Sequence, residues 1–226
     1  MKLIVDTIAD FISSLTISGT VLSGTFDGTE TVFLFSNSYH LRENRSFFVS
    51  ATEYTATQVN AELNQVTVLG DFTGLIGQTF IIPNPFYFHG TPIATNNQIN
   101  FLDDLEKVPM IYLYEWIREK EFPETSNLES EANVTLYFLD NANFEDWTTD
   151  NFYTKRIYGL RKLFSFFKEE LRKYSKFYTT ETDFFIENMT KFGTFQKMKG
   201  AVSKVFDDPL TGVQVSFKLK IRKCCN

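Results

Sequence analysis

The chain has 226 residues, of which 43% are apolar and 22% charged, a composition that excludes a wholly disordered protein. This length can bury one large core, and we expect residues 1–226 to form a single domain. The net charge of −6 is unevenly distributed: residues 151–226 hold 16 Lys and Arg against 7 Asp and Glu, net +9, and residues 1–150 hold 6 against 21, net −15. Such asymmetry indicates contact with nucleic acid or an acidic surface, or a basic face that meets the acidic face of a neighbouring molecule. The alternative is attraction between the two halves within one fold.

The N-terminal residues lack the apolar core of a signal peptide, because Asp6 follows a run of only three apolar residues. The longest apolar runs fall far short of the roughly 20 residues that a membrane helix needs. We therefore expect an intracellular protein without membrane contact. The only cysteines, Cys224 and Cys225, are neighbours and poorly placed for a disulfide bond, which favours a reducing compartment.

Residues 3–15 carry apolar side chains at Ile4, Ile8, Phe11 and Leu15. The steps of four, three and four residues place these side chains on one side of a helix. The sequence therefore predicts an amphipathic N-terminal helix.

Two segments with strand character follow, residues 20–26 and 29–36. The Asp27-Gly28 dipeptide between them tolerates the positive φ angles of a tight turn, so we expect a β-hairpin. Residues 46–88 are rich in Thr, Val and aromatic residues and are broken by glycines and prolines, which predicts several short strands.

The run 109–115 is almost continuously apolar, as expected for a strand in the centre of a sheet. Residues 133–139 return to strand character, with apolar side chains at alternate positions. Between these strands we expect a loop over residues 117–131. It is acidic, with Glu119, Glu121, Glu124, Glu129 and Glu131.

The clearest pattern is that of a long amphipathic helix over residues 150–174. Its apolar residues recur in alternating steps of four and three, and they are Tyr153, Ile157, Leu160, Phe164, Phe167, Leu171 and Tyr174. This seam predicts a helix laid across a sheet, and its three heptads are also compatible with a coiled coil.

The last strand pattern covers residues 213–221, in which apolar and polar residues alternate. We expect this strand to form a second hairpin with residues 200–206 around a turn at 207–212. Together the elements predict an α+β fold: an antiparallel or mixed β-sheet with the N-terminal helix and the long helix packed on one face.

The sequence carries none of the motifs that bind phosphate, dinucleotides or catalytic zinc, and it has no nucleophile elbow. The two histidines, His40 and His89, occur at no recognised metal-ligand spacing. We therefore expect no catalysis, no metal and no cofactor. A hydrolase that pairs His89 with Asp103 or Asp104 is an alternative, because both carboxyl groups follow the histidine closely along the chain.

Basic residues along 155–176 suggest another alternative, a nucleic-acid-binding module whose helix follows a phosphate backbone. These residues are Lys155, Arg156, Arg161, Lys162, Lys168, Arg172, Lys173 and Lys176, with Tyr153, Tyr158 and Tyr174 nearby. The acidic net charge and the place of the tyrosines on the apolar seam favour instead a basic face that is solvated or meets another subunit.

The N-terminal helix, the β-rich middle and the ending Leu210-Thr-Gly-Val-Gln-Val-Ser-Phe-Lys-Leu-Lys-Ile221 resemble one family. It comprises the tail terminator and tail-completion proteins of the head-to-tail neck in tailed bacteriophages. The present chain is longer than is usual there, so the aromatic middle over 46–140 and the helix over 150–174 would be elaborations.

The resemblance implies a virion subunit that forms a ring, commonly of six copies, which caps the tail tube and joins it to the connector on the portal side. It also implies assembly in the host cytoplasm and passing contact with DNA in the lumen. The 25 phenylalanines would supply the apolar centres of ring contacts, or they reflect AT-rich coding. Opposite charges would meet between copies, and the interface residues we expect are Lys155, Arg156, Arg161, Lys162, Arg172, Lys218, Lys220, Glu119, Glu121, Glu124 and Glu129.

Overall fold

The structure is a computed structural model. It describes residues 4–102, 107–143, 148–178, 183–196, 202–204, 206 and 209–222. The chain divides into two compact units. The first unit comprises Met1–Ser14, Pro85–Asn143 and Phe164–Asn226, and the second unit comprises Leu15–Asn84 and Phe144–Leu163. A single folding domain over the whole chain stays a prediction.

A barrel-like antiparallel sheet forms most of the second unit. Its strands are β1 Ile17–Phe26, β2 Glu30–Phe35, β3 Arg45–Val49, β4 Thr52–Ala56, β5 Gln58–Asn60, β6 Gln65–Leu69 and β7 Thr79–Ile82. Their spatial order is β4-β3-β7-β1-β2-β6-β5. Only Thr57 separates β4 from β5, and its amide donates to the Thr67 carbonyl oxygen of β6 at 2.8 Å. The two ends of the sheet therefore meet.

Aromatic side chains fill the inside of this sheet, because alternate residues of each strand point inward. Phe35 stacks on Phe80 with ring centroids 4.1 Å apart, and it meets Phe47 edge to face at 5.3 Å. The hairpin predicted at Asp27-Gly28 is confirmed, since β1 pairs with β2 and Gly28 has a φ of 103°. The several short strands expected over the next segment are also confirmed.

The predicted long helix is confirmed, but it is not uniformly α-helical. It consists of α3 Thr149–Phe152, a π-helical turn Tyr153–Ile157 and α4 Tyr158–Lys173. Thr148 caps its start by accepting a hydrogen bond from the Asn151 amide at 3.4 Å. The division between the two units falls after Leu163, within α4.

The first unit contains a second sheet together with α1 and α2. Its elements are α1 Ile4–Ser14, β8 Phe86–Gly90, α2 Pro92–Ile99, β9 Met110–Tyr114, β10 Arg118–Glu121, β11 Leu128–Asn141, β12 Phe177–Tyr178, β13 Phe184–Phe192, β14 Thr194–Gln196, β15 Val202–Lys204 and β16 Leu210–Arg222. The strand order is β12-β16-β11-β9-β8, with β10 also paired to β11 and β13 also paired to β16. Strands β8 and β9 are parallel, and the other pairs are antiparallel.

One face of this second sheet is buried under helices. Phe138 of β11 meets Phe164 and Phe167 of α4 at centroid distances of 5.6 and 5.4 Å. Phe11 of α1 meets Phe167 at 5.1 Å, so the predicted N-terminal helix is confirmed with its apolar side inward. The alternation predicted for the last strand is confirmed too, because its odd-numbered residues from 213 to 221 are buried.

The long strands β11 and β16 pair along almost their whole length, and one glycine allows their closest approach. A Cβ atom at Gly212 would lie 2.1 Å from the Phe138 carbonyl oxygen and 2.8 Å from the Leu139 side chain. Glycine therefore fits this position and a larger residue does not. On the face opposite α1 and α4, Tyr112 and Phe206 belong to a buried cluster that also includes Ile99 of α2.

The predicted α+β class is wrong, because the structure is mostly β, with two barrel-like sheets and one long helix. The helical patterns are strong but cover a minor part of the chain. The short strands of the second unit close a sheet of their own instead of joining one sheet under the helices. This closure depends on contacts between strands distant in sequence, which local patterns do not reveal.

Two local predictions are also wrong. Residues 117–131 are not one acidic loop, because β10 carries Glu119 and Glu121, and β11 already includes Glu129. An edge strand is held by backbone hydrogen bonds, so it tolerates charged side chains that local patterns assign to a loop. The second hairpin does not form as predicted, because Val202–Lys204 pairs with Thr194–Gln196 while β11 and β13 flank β16.

Candidate functional site

His89, the imidazole proposed for catalysis, lies at the end of β8 beside the parallel strand β9. Its Nδ1 is 3.6 Å from Glu115 Oε2, and both side chains are nearly half exposed. Water screens the interaction of two side chains at such exposure. Asp103 and Asp104 lie outside the described residues, and their predicted pairing with His89 stays a prediction.

His40 is buried in the second unit, in the loop after β2. Burial lowers its pKa from 6.5 to about 4, and the positive charges of Arg45 and Arg42 act in the same direction. The neutral ring donates from Nε2 to the Pro83 carbonyl oxygen at 3.1 Å. This arrangement gives His40 a structural role, because a buried neutral ring cross-links two loops of the barrel-like sheet.

In the described part of the chain, no three side chains of His, Cys, Asp or Glu lie together in a group that could hold a metal ion. Cys224 and Cys225 lie outside the described residues. Within that same part of the chain, every helix falls short of the length and apolarity that a membrane crossing demands.

Two of the basic residues predicted for an interface bind within the second unit instead. Arg156 is only 8% exposed, and its guanidinium lies 3.4 Å from Glu43 Oε2. The Lys162 ammonium donates to the Ala61 carbonyl oxygen and to Asn64 Oδ1, the latter at 2.5 Å, and burial lowers its pKa. These two side chains attach the helix to the loops of the barrel-like sheet.

The other predicted basic residues of the helix lie nearer the surface. Lys155 and Arg172 are exposed, and Arg161 is partly buried. The Lys173 ammonium lies 2.5 Å from Glu170 Oε1. The continuous basic stripe imagined for phosphate binding is therefore interrupted where Arg156 and Lys162 turn inward, and DNA binding by this helix stays a prediction.

The acidic residues predicted for the interface lie in the first unit. Glu119, Glu121 and Glu124 are exposed, and Glu129 is partly buried. On the same sheet the Lys218 ammonium lies 3.2 Å from Glu131 Oε1, and Lys220 stands opposite Glu131 in the strand register. Acidic and basic residues from the two sequence halves thus meet inside one unit.

The units do not preserve the charge asymmetry of the sequence. The first unit holds 16 Lys and Arg against 19 Asp and Glu, and the second holds 6 against 9, so each has a net charge of −3. Chain segments of opposite sign are mixed in both units. The charge difference between the two halves of the sequence therefore no longer supports an attraction between oppositely charged surfaces of neighbouring copies.

Exposed apolar residues of the first unit form a feature that sequence reasoning did not locate. Trp116 is 80% exposed and Ile93 is 69% exposed. Both follow the parallel strands β8 and β9, whose ends are aligned by the pairing of Gly90 with Tyr114. Ile93 and Trp116 therefore stand at the same end of the sheet. The only signal in the sequence was a tryptophan just outside an apolar run.

Comparison of the chain with protein families, with curated proteins and with solved structures finds no match.

Proposed function

We propose that the chain is a non-enzymatic structural subunit that binds further copies of itself through the apolar end of the first unit, defined by Ile93 and Trp116. The exposure of Trp116 carries this proposal. Tryptophan is enriched among the residues that dominate binding at protein interfaces. When a partner covers a large apolar side chain and removes it from water, the free energy of the system decreases.

The apolar end is held in place by local structure, which lowers the entropic cost of binding. The Thr91 side chain accepts a hydrogen bond from the Ala94 amide at 3.3 Å and so caps α2, the helix that carries Ile93. The Tyr112 hydroxyl donates to the Gly90 carbonyl oxygen at 3.0 Å and fixes the turn before that helix. The backbone that carries Ile93 is therefore fixed before a partner binds.

The setting we propose is a ring at the neck of a tailed phage, between the tail tube and the connector, assembled in the host cytoplasm and retained in the virion. The resemblance of the N-terminal helix and the final Gly-led strand supports this setting. A ring subunit needs two different contact surfaces, and the apolar end supplies one of them.

Sedimentation velocity over a range of protein concentrations tests the assembly. We expect the wild-type chain to form a defined oligomer and Trp116→Ser to weaken association by about 30-fold or more, as for an interface anchor. Leu63→Ser is the matched control, because it removes a side chain that is 54% exposed in the second unit. A strict monomer at high concentration, or equal losses in the two variants, contradicts the proposal.

A further inference from the structure

Three cations stand in a row on the open face of the first unit's sheet. Lys218, Lys220 and Arg222 are alternate residues of β16, so their side chains leave the same face of the strand. Neighbours in this basic row are about 7 Å apart along the strand, which follows from its rise per residue. That spacing is comparable to the separation of successive phosphates in an extended single strand of nucleic acid.

Two aromatic rings flank the basic row on the side of β12 and β13. Phe185 stands directly opposite Ser216 in the strand register and is 71% exposed. Tyr178 stands opposite Lys220, and its ring centroid lies 5.8 Å from the Lys220 ammonium and 5.5 Å from the Arg222 guanidinium carbon. Aromatic rings therefore border the row of cations on one side.

A depression of about 430 Å³ lies at the centre of this patch. Its lining includes Asn133, Thr135, Asp183, Phe185, Ser216, Lys218 and Lys220. The hydroxyls of Thr135 and Ser216 are 3.1 Å apart, and with the Asn133 amide they offer neutral donors and acceptors between the charged groups. The surface thus combines an exposed ring, charged groups and hydrogen-bonding groups around one depression.

We propose that this face binds single-stranded nucleic acid, with phosphates along the basic row and a base stacked on Phe185. Binding proteins for single strands combine a positively charged track with aromatic side chains on which bases stack. A duplex would keep its bases inside, out of reach of Phe185. An acidic polypeptide would use the cations but would leave the exposed ring without a stacking partner.

Carboxylates on this face oppose the binding of phosphate, and one of them provides a test. Glu131 pairs with Lys218 at 3.2 Å, and Asp183 lines the depression. A phosphate must compete with Glu131 for the Lys218 ammonium. Removing that competition by Glu131→Gln should tighten binding, whereas a merely structural role for the pair predicts no gain in affinity.

The experiment is a fluorescence anisotropy titration of a labelled oligothymidylate of about 15 nucleotides, a length within the range that such sites cover. We expect the logarithm of the association constant of the full chain to fall with the logarithm of salt concentration with a slope of about −2. Three phosphates neutralised on a single strand contribute about 0.7 each to that slope. Lys220→Gln should therefore lower its magnitude by about 0.7.

The aromatic contribution is tested separately from charge. Phe185→Ala should weaken binding by about tenfold without changing the salt slope, because stacking releases no counterions. Phe185→Trp should retain the affinity. Arg172→Gln tests the competing surface, the basic side of the long helix, and should leave both the affinity and the slope unchanged when β16 carries the binding.

Several outcomes would overturn the proposal. They are no binding at low salt, equal losses in Arg172→Gln and Lys220→Gln, or full competition by oligoglutamate of the same length. Full competition by oligoglutamate would assign the face to acidic polypeptides. Trp116→Ser should bind the oligonucleotide as the wild type does, so failure of the assembly proposal and failure of this one are separable.

Discussion

His40 shows how one buried side chain makes stability depend on pH. Its ring is kept neutral mainly because burial lowers its pKa to about 4, and nearby Arg45 and Arg42 add to that effect. In the unfolded chain the same ring is solvated and takes up a proton near pH 6.5. Between these two values the unfolded state therefore binds more protons than the folded state.

We expect the free energy of unfolding to decrease as the pH falls from 6.5 to about 4, by about 3 kcal/mol from His40 alone. Above this window the contribution is fully present, and below it the loss is complete. Urea unfolding at a series of pH values measures it in the wild type and in His40→Gln. The stability difference between the two proteins should shrink toward low pH, and parallel curves would show that His40 does not titrate as described.

Asn64 acts at the scale of elements, because it ties the turn between β5 and β6 to two other segments. Its Oδ1 accepts hydrogen bonds from the Ser38 amide at 3.0 Å and from the Lys162 ammonium at 2.5 Å. Its φ of 56° lies in the left-handed region, which asparagine tolerates better than most residues. One side chain thus links the turn, the loop after β2 and the helix.

We expect Asn64→Ala to lower the free energy of unfolding by about 2 to 4 kcal/mol, because buried donors lose their acceptor and the backbone conformation becomes less favourable. Asn64→Asp should stay within about 1 kcal/mol of the wild type, since it keeps the oxygen and places a negative charge opposite Lys162. Thermal and urea unfolding of both variants provide the measurement. Equal destabilisation by Ala and Asp would exclude the role of the accepting oxygen.

The elements illustrate which parts of the structure local sequence patterns can predict. Strand β16 follows from its strict alternation, and the first hairpin follows from a turn dipeptide that permits positive φ at Gly28. The partners of β16 do not follow, because β11 lies roughly eighty residues earlier and pairing over such a distance leaves no local signal. The strand β10 was missed because its four residues are all charged and exposed.

The basic residues of the candidate sites could be predicted from the sequence, but their neighbours could not, because those neighbours are distant along the chain. Arg156 and Lys162 are recognisably basic residues on a helix, but Glu43 and Asn64, which turn them inward, are about a hundred residues away in sequence. The basic row of β16 follows from the alternation of that strand. Its flanking rings, Tyr178 and Phe185, come from separate strands and could be placed only by the register.

At the scale of the whole molecule, the distribution of charge decides what can drive association. Both units carry the same net charge of −3, and unlike charges already meet within the first unit, as Lys218 meets Glu131. Copies of such a chain repel weakly at long range. The proposed self-association therefore depends on apolar area such as that of Trp116, which is 80% exposed.

We accordingly expect the oligomer to persist when the salt concentration is raised to about 1 M, where the screening length is about 3 Å and contacts between charged surfaces are weakened. Sulfate should strengthen the association, because excluded salts favour the burial of apolar surface. Sedimentation velocity in low salt, high sodium chloride and sodium sulfate distinguishes the two driving forces. Dissociation in high sodium chloride would mean that charged surfaces hold the copies together, and Trp116→Ser would then have little effect at low salt.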